Sequence, residues 1–303
     1  MGSETLSALA EEYGIRDHVD FVSGPGGLPQ LNLVHACGQV RIALQGAQVL
    51  SWVPSGHPDL IWMSPAARFA PGQPLRGGIP VCWPWFGSRM DSATLPAHGI
   101  ARTALWDLVA SEVSDDGRVR VEFRLIPGGA AASLWPFTTP VDYRVTLGEV
   151  LELELLTRNL SAETVAIGAA LHTYWAVADV REVGIVGLDG CTYLDKVEGD
   201  GLKRQQGAVS ITGETDRVYF DDGASCVIED PGNARRIRVD KRGSRTTVVW
   251  NPWVEKAARL GDMGENGYLK MVCVETANAA NDVVAIAPGG EHLLQVRYQV
   301  EAL

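Results

Sequence analysis

The chain has few residues of the types that build metal centres, disulfide frameworks or nucleic-acid surfaces. Its 303 residues include five cysteines, which never stand in CxxC spacing, and six histidines without metal-ligand spacing. This distribution argues against a disulfide framework and a zinc site and is typical of a reducing compartment. Acids outnumber bases by 37 to 26 for a net charge of −11, with no basic cluster. Because nucleic acids and anionic membranes need a positive face, neither is expected as a partner.

The chain also lacks the signatures of export, membrane insertion and nucleotide binding. Acidic residues stand near the start where a signal peptide carries bases, and no apolar run approaches the length of a membrane span. The glycines of GPGGLPQ, residues 24–30, precede a predicted strand, whereas a dinucleotide fingerprint follows one and opens a helix. P-loop, HExxH and GxSxG motifs are absent. We therefore expect a soluble cytoplasmic protein that uses no metal and no cofactor.

Period-two alternation of apolar and polar residues recurs along most of the chain and predicts half-buried strands. Examples are residues 119–125, 151–155, 236–240 and 294–300. Other runs are apolar on both faces, which indicates central strands covered on two sides. These runs are residues 165–171, 246–250 and 271–274. With 33 Gly and 16 Pro between many short strands, the fold class predicted is all-β, a large antiparallel β-sandwich.

Helical patterns are scarce, and nothing marks a domain boundary. Only residues 3–12 and 253–260 predict short helices, while residues 127–132 predict a long turn. Neither a Ser/Gly linker, nor a charge block, nor a repeat divides the chain. Residues 1–303 are therefore predicted to form a single domain, of which residues 1–29 are an N-terminal extension with a short helix.

Two loop segments carry polar or glycine residues that a plain strand does not need. RGGIPVCWPWFG, residues 76–87, combines a Gly-Gly pair, which allows a close backbone approach to a ligand, with aromatic faces that suit the CH surface of a sugar. The alternative is a tight, aromatic-packed turn in the core. LPAHGIAR, residues 95–102, places His98 and Arg102 on a short loop; there the alternatives are a structural histidine and a solvated arginine.

Two further segments place an ionisable residue in an apolar strand. His172 ends the apolar run of residues 165–171, and alternation puts Tyr174 on the same side. Such a histidine is either a satisfied core group or a buried acid or base. Glu275 closes the apolar strand MVCVET, residues 271–276. Since burying a bare carboxylate is costly, this glutamate must be paired, hydrogen-bonded or functional.

Six segments together resemble, in order and spacing, those of the glucose-6-phosphate 1-epimerases, which are hexose-6-phosphate mutarotases related to aldose 1-epimerase. They are RGGIPVCWPWFG, LPAHGIAR, LHTYW, TDRVY, VVWNPW and MVCVET. The resemblance spans roughly residues 30–300 and implies a galactose-mutarotase-like β-sandwich. It implies no cofactor and a small phosphorylated sugar as the partner.

The resemblance also implies roles for individual residues. It makes His172 and Glu275 the catalytic acid–base pair. It gives the substrate-binding residues as Arg76, Arg102, Asp216 and His98, with the two arginines contacting the phosphate among other groups. Some family members have a glutamine where this chain has Ala97, which removes one polar contact.

The expected reaction exchanges the α and β anomers of a hexose 6-phosphate by opening and reclosing the ring. Two groups on opposite sides of the O1–C1–O5 unit do this without a cofactor, because one removes the C1 hydroxyl proton while the other protonates the ring oxygen. Three alternatives remain open. They are a carbohydrate-binding or regulatory module without turnover, an aldose 1-epimerase acting on neutral sugars, and a glycoside-processing domain with Asp216 as the second carboxylate.

Overall fold

Strands dominate the structure, a computed structural model that describes residues 3–88, 95–223 and 225–303. The strands in these ranges are, in chain order, β1 Val19–Ser23, β2 Pro29–His35, β3 Gly38–Ala43, β4 Gln48–Pro54, β5 Val81–Cys82, β6 Asp107–Val113, β7 Val119–Leu125, β8 Val141–Leu147, β9 Leu151–Arg158, β10 Val165–Ile167, β11 Ala169–Leu171, β12 Tyr174–Ala176, β13 Gly184–Val186, β14 Thr192–Asp195, β15 Gly201–Arg204, β16 Val209–Ser210, β17 Thr215–Phe220, β18 Cys226–Asp230, β19 Arg235–Arg242, β20 Thr246–Asn251, β21 Met271–Asn278, β22 Val284–Ile286 and β23 Glu291–Ala302.

Three α-helices accompany these strands in the described ranges. They are α1 Ser3–Tyr13, α2 Ala130–Leu134 and α3 Trp253–Leu260. Helices were predicted at residues 3–12 and 253–260, and both predictions are confirmed. The prediction of a long turn at residues 127–132 is wrong in its second half, where α2 begins. Alanine has the highest helix propensity, so the alanine run of residues 130–132 forms one helical turn after the glycines.

The strands form four antiparallel sheets. The largest has nine strands in the order β16-β13-β18-β19-β23-β9-β8-β7-β6. The second has the order β15-β14-β17-β20-β21-β11-β5, and β12 also pairs with β21. Strands β1 to β4 form a meander, and β10 pairs with β22. The four-stranded sheet contacts β7 and β8, and β21 of the eight-stranded sheet contacts β23. The four-stranded and the eight-stranded sheets therefore each pack on the nine-stranded sheet. The predicted all-β sandwich is confirmed.

Alternation decides which side chains enter the core. In β7, Val119, Val121, Phe123 and Leu125 are buried, while the residues between them are partly exposed. On the wet face, charges pair across strands, as where the Glu122 carboxylate accepts from the Arg144 guanidinium at 2.7 Å. Burying each large apolar side chain stabilises the fold by about 1.5–3 kcal/mol.

Strand β21 is buried on both faces and therefore carries the site. All eight of its residues are buried. Val272 and Val274 belong to the main core, whereas Cys273 and Ala277 pack in smaller clusters on the opposite face. Because side chains alternate along a strand, Glu275 points to the same side as Cys273. The Glu275 carboxyl group therefore lies on a central strand of a sheet that is buried on both faces.

None of the helices in the described ranges is both long and apolar enough to cross a membrane. The single-domain organisation and the cytoplasmic location stay predictions.

Candidate functional site

His172 lies in the gap between β11 and β12, where the chain crosses the segment of residues 78–80. The His172 amide donates to the Pro80 carbonyl at 3.0 Å, and the Tyr174 amide donates to the Gly78 carbonyl at 3.0 Å. These two bonds fix the backbone on both sides of the histidine. Its ring stacks on that of Tyr174, with centroids 4.8 Å apart and planes 7° apart, and meets the edge of Trp250. The predicted shared side of His172 and Tyr174 is observed.

The Gly-Gly pair of RGGIP allows the backbone of residues 77–78 to pack closely against neighbouring segments. Gly77 and Gly78 both have positive φ, and a Cβ on either would come within 2.5 Å of a carbonyl oxygen, that of Trp62 or that of Val49. Any larger residue at either position would push this segment away from the backbone of Trp62 or Val49. Packing against the protein's own backbone, with bridges from Gly77 to Met63 and from Ile79 to Val49, accounts for the pair, and a backbone approach to a ligand stays a prediction.

Glu275 and His172 meet although they come from distant parts of the chain. Their Oε1 and Nδ1 atoms are 3.4 Å apart, and the side chains are 1% and 10% exposed. Glu275 Oε2 and His172 Nδ1 are buried and have no hydrogen-bond partner among the described residues. Buried polar atoms are normally satisfied, so two unpartnered ones at a cavity wall indicate a place for a polar ligand.

Burial shifts both groups towards their neutral forms. Burial, with the nearby Asp216 carboxylate, raises the pKa of Glu275 well above its ordinary value. Burial, with the charges of Arg102 and Arg76 among others, lowers the pKa of His172 well below its ordinary value. Desolvation disfavours a charge of either sign, which explains the opposite directions.

This shift gives a prediction on stability. Glu275 keeps its proton in the folded protein at pH values where the unfolded chain has released it. Stability from this site is therefore present below about pH 4.5 and falls by up to about 1.4 kcal/mol for each pH unit above it. We expect Glu275→Gln to be more stable than the parent protein at pH 8, with a smaller difference at pH 5.

Urea unfolding at the two pH values measures this difference. Glu152→Gln is the matched control, since this half-exposed glutamate lies on β9 in the other sheet. The difference in free energy of unfolding between Glu152→Gln and the parent protein should not grow from pH 5 to pH 8 as it does for Glu275→Gln. A Glu275→Gln difference that is constant with pH would contradict the raised pKa.

The LPAHGIAR loop packs His98 against the pair. The His98 amide donates to the Gly87 carbonyl at 2.8 Å, and its ring lies between Phe86 and His172, with centroids 4.9 and 5.5 Å away. Gly99 is required next to it, because a Cβ there would lie 2.0 Å from the Trp83 carbonyl oxygen. Burial, with the charges of Arg102 and others, lowers the pKa of His98 to about 3. His98 is thus a neutral group at physiological pH.

Only part of the aromatic cluster faces the cavity. Trp83 and Trp85 are core residues, whose indole N–H groups donate to Thr157 and to the Pro96 carbonyl. Phe86, by contrast, lines the cavity, together with Tyr174 and Trp250 from other elements. Two of the three cluster aromatics that were candidates for sugar stacking therefore serve the core.

The cationic side chains of the site differ in their hydrogen-bond and ion-pair partners. Arg76 donates to the Asp262 carboxylate and to the Tyr174 hydroxyl, both at 3.0 Å. Arg102 donates to the Ala97 carbonyl at 2.8 Å and makes no ion pair within the described ranges. Lys196 follows β14, and its Nζ lies 6.0 Å from the Phe86 ring centroid, also without an ion pair in those ranges.

Asp216 reaches the cavity from β17, where it lies opposite Trp250. Lys256 of α3 lies 3.6 Å from its carboxylate. Burial raises the pKa of Asp216, against the charges of Lys196 and Lys256. Sequence reasoning missed both lysines, because a lysine in a surface-like hairpin or an amphipathic helix carries no signal of its own.

All six predicted site residues line one cavity of about 490 Å³, within the range of small-molecule sites. Ala97 lines it too. The cavity combines a carboxyl group beside an imidazole, aromatic walls and four cations, an arrangement with the chemistry to move a proton and to bind an anionic group. In the described ranges, one group of side chains has metal-ligating potential, His172 with Cys273 and Glu275. The absence of a required metal or cofactor stays a prediction.

Solved structures identify the class to which this sandwich and cavity belong. Galactose 1-epimerase from Lactobacillus acidophilus superposes with a TM-score of 0.71 over 94% of this chain and 98% of that one, at 14% identity. A structure titled as a "putative mutarotase" from Salmonella typhimurium superposes with a TM-score of 0.88 at 32% identity, covering 96% of each chain. The fold is thus that of the galactose mutarotases.

Sequence comparison then gives the family. The family model for aldose 1-epimerase matches residues 29–299. An Escherichia coli K12 protein named "Putative glucose-6-phosphate 1-epimerase" is 36% identical over 275 residues, which cover 88% of this chain and 90% of that protein. A protein of the same name from Cenchrus ciliaris is 33% identical over 90% of this chain and 84% of its own length. The chain belongs to the aldose 1-epimerase family, a family of isomerases, as its motifs predicted.

Proposed function

We propose that this protein is a cofactor-independent 1-epimerase that interconverts the α and β anomers of a hexose 6-phosphate, with glucose 6-phosphate as the preferred substrate. The observation that carries the proposal is the charge of the cavity. The chain as a whole has a net charge of −11, yet four cations line this one cavity. Arg76 and Lys256 are paired with carboxylates, whereas Arg102 and Lys196 have no such partner in the described ranges. A neutral sugar gives no reason for such an accumulation, whereas a phosphate does.

Arg102 and Lys196 are the cations best placed to bind the phosphate. Both lack a carboxylate partner in the described ranges, so binding an anion there breaks no ion pair within those ranges. Both lie near His98, since Lys196 Nζ is 6.0 Å from the ring centroid of Phe86, which packs on His98, and Arg102 donates to the carbonyl of Ala97, the residue before His98. Arginine offers a planar pair of donors and lysine a point charge, and both suit phosphate oxygens. The proposal keeps Arg76 and Asp216 as substrate contacts.

His172 and Glu275 supply the acid and the base. Glu275 accepts the C1 hydroxyl proton while protonated His172 gives a proton to the ring oxygen, so the C1–O5 bond breaks and an aldehyde forms. Rotation about C1–C2 exposes the other face of the aldehyde. The ring hydroxyl then attacks C1, His172 recovers its proton, and Glu275 returns its proton to the new C1 hydroxyl.

The geometry refines this scheme in one respect. The two groups lie side by side, not on opposite sides of the anomeric centre, because their facing atoms are 3.4 Å apart. Since Nδ1 faces Glu275, Nε2 is the nitrogen that exchanges a proton with the sugar. Without substrate, burial favours the neutral pair; a C1 hydroxyl donating to the unpartnered Oε2 stabilises the carboxylate and moves the proton to His172.

Magnetisation-transfer NMR of glucose 6-phosphate, with and without protein, tests the proposal. We expect catalytic amounts of protein to speed exchange between the anomers, and to do so far more for glucose 6-phosphate than for glucose. Equal acceleration of both sugars would favour the neutral-sugar epimerase. Saturable binding without faster exchange would favour the binding module, and release of sugar from a glycoside would favour the glycoside-processing domain.

A further inference from the structure

A thiol lies beside the proposed acid–base pair and has no part in the reaction. Cys273 precedes Glu275 by two residues on β21, so both side chains leave the same face of the sheet. Its Sγ, one ring nitrogen of His172 and one carboxylate oxygen of Glu275 all lie within 4.8 Å of one another. Each of the three residues is at least nine-tenths buried.

The spacing of these atoms fits a small tetrahedral cation. Nitrogen and oxygen ligands about 2.0–2.1 Å from a tetrahedral zinc ion lie roughly 3.3–3.4 Å apart. His172 Nδ1 and Glu275 Oε1 are already 3.4 Å apart. A sulfur ligand about 2.3 Å from the ion lies roughly 3.5–3.6 Å from the other two ligand atoms. From the upper limit of 4.8 Å, Sγ therefore needs to close in by at most about 1.3 Å, a movement made by rotation about χ1 of the cysteine.

Two further features favour a divalent cation here. His172 Nδ1 and Glu275 Oε2 are buried without a hydrogen-bond partner in the described ranges, so their lone pairs are available. A thiolate and a carboxylate together carry two negative charges, which cancel those of the ion and leave a neutral cluster. Neutrality matters because an uncompensated charge in a buried site is strongly disfavoured.

We propose that His172, Cys273 and Glu275 form a binding site for a thiophilic divalent cation, with zinc as the ion of matching chemistry. Sulfur and imidazole ligands select zinc or cadmium over magnesium and calcium, which prefer oxygen. The cation reaches the site through the cavity that His172 and Glu275 line. Binding releases two protons to solvent, one from the Cys273 thiol and one from the Glu275 carboxyl, which burial keeps protonated in the free protein.

The site makes the cation an inhibitor. Once His172 Nδ1 and Glu275 are ligands, their lone pairs are engaged and neither group can relay a proton. This consequence rests on the proposed function, whereas the binding itself does not. The protein would therefore lose activity reversibly when free zinc rises, and a chelator would restore it.

Cadmium titration followed by ultraviolet absorbance tests binding independently of activity, since a cadmium–thiolate bond gives a charge-transfer band. We expect one saturable band per chain in the parent protein and in Cys226→Ala, which alters an equally buried cysteine elsewhere. Cys273→Ala should lose the band. His172→Asn should keep the thiol but bind cadmium at least tenfold more weakly. Circular dichroism checks that each variant is folded.

Zinc inhibition of anomer exchange provides the second measurement. Cys273→Ala should exchange anomers at the parent rate yet require at least tenfold more zinc for half-inhibition. No band in the parent protein, or an equal band in folded Cys273→Ala, would overturn the site. Inhibition that is equal in both proteins would overturn its inhibitory role. A band in a protein that shows no anomer exchange would leave the site standing and refute the proposed function.

Discussion

We expect Glu275→Gln and His172→Asn each to slow the proposed exchange of glucose 6-phosphate anomers by about 10²-fold or more. Glutamine keeps the size of the glutamate but cannot accept the proton, and asparagine keeps a donor but cannot titrate. Positioned acid–base catalysis supplies about 10²–10⁴-fold for each group, so either loss should remove that factor. Substrate should still bind, because the cations of the cavity are untouched. Magnetisation-transfer NMR gives the rate, and saturation-transfer experiments on the sugar protons give the binding.

The double variant sharpens this prediction. Because the two side chains act on a single proton circuit, the double variant should be little slower than the slower single variant. His292→Asn and Glu152→Gln repeat the same substitutions outside the cavity and should keep the parent rate. If both single variants at the site exchanged anomers at the parent rate, the acid–base roles of His172 and Glu275 would be refuted. The alternative of a carbohydrate-binding module without turnover would then be favoured.

We expect Arg102→Ala and Lys196→Ala each to raise the KM for glucose 6-phosphate by about 10- to 150-fold and to leave the KM for glucose nearly unchanged. The range corresponds to about 1.5–3 kcal/mol for the loss of one hydrogen bond to a charged group. Since neither side chain has a carboxylate partner in the described ranges, its removal leaves no carboxylate of those ranges unpaired, and we expect the fold to be kept. Initial rates at varied concentrations of both sugars give the two constants.

Lys270→Ala is the matched control, because this lysine donates to the Ala178 carbonyl and does not line the cavity. Arg76→Ala should behave differently from either phosphate variant. Arg76 holds the Tyr174 hydroxyl, and Tyr174 stacks on His172, so its loss should lower kcat for both sugars. If Arg102→Ala and Lys196→Ala raised the KM for glucose and for glucose 6-phosphate equally, the proposal that these two side chains bind the phosphate would be refuted.

The sequence by itself determined the fold class and the two central residues of the site. Alternation in β7 and β9 is a local property, and the burial of every second residue follows from it directly. His172 and Glu275 stood out because an ionisable group in an apolar strand is costly and needs a reason. The ordered motifs then supplied the family, which the comparisons confirm.

Only the tertiary structure decided how these residues work together. Strand pairing placed Glu275 against His172, and this distance depends on registers between strands that are remote in the chain. Burial made His98 neutral, and Asp262 engaged Arg76, although neither effect is visible from the neighbouring residues in sequence. Lys196 entered the cavity because the turn after β14 lies beside Phe86. Periodicity is local and survives in the sequence, whereas desolvation and charge pairing depend on which segments meet in space.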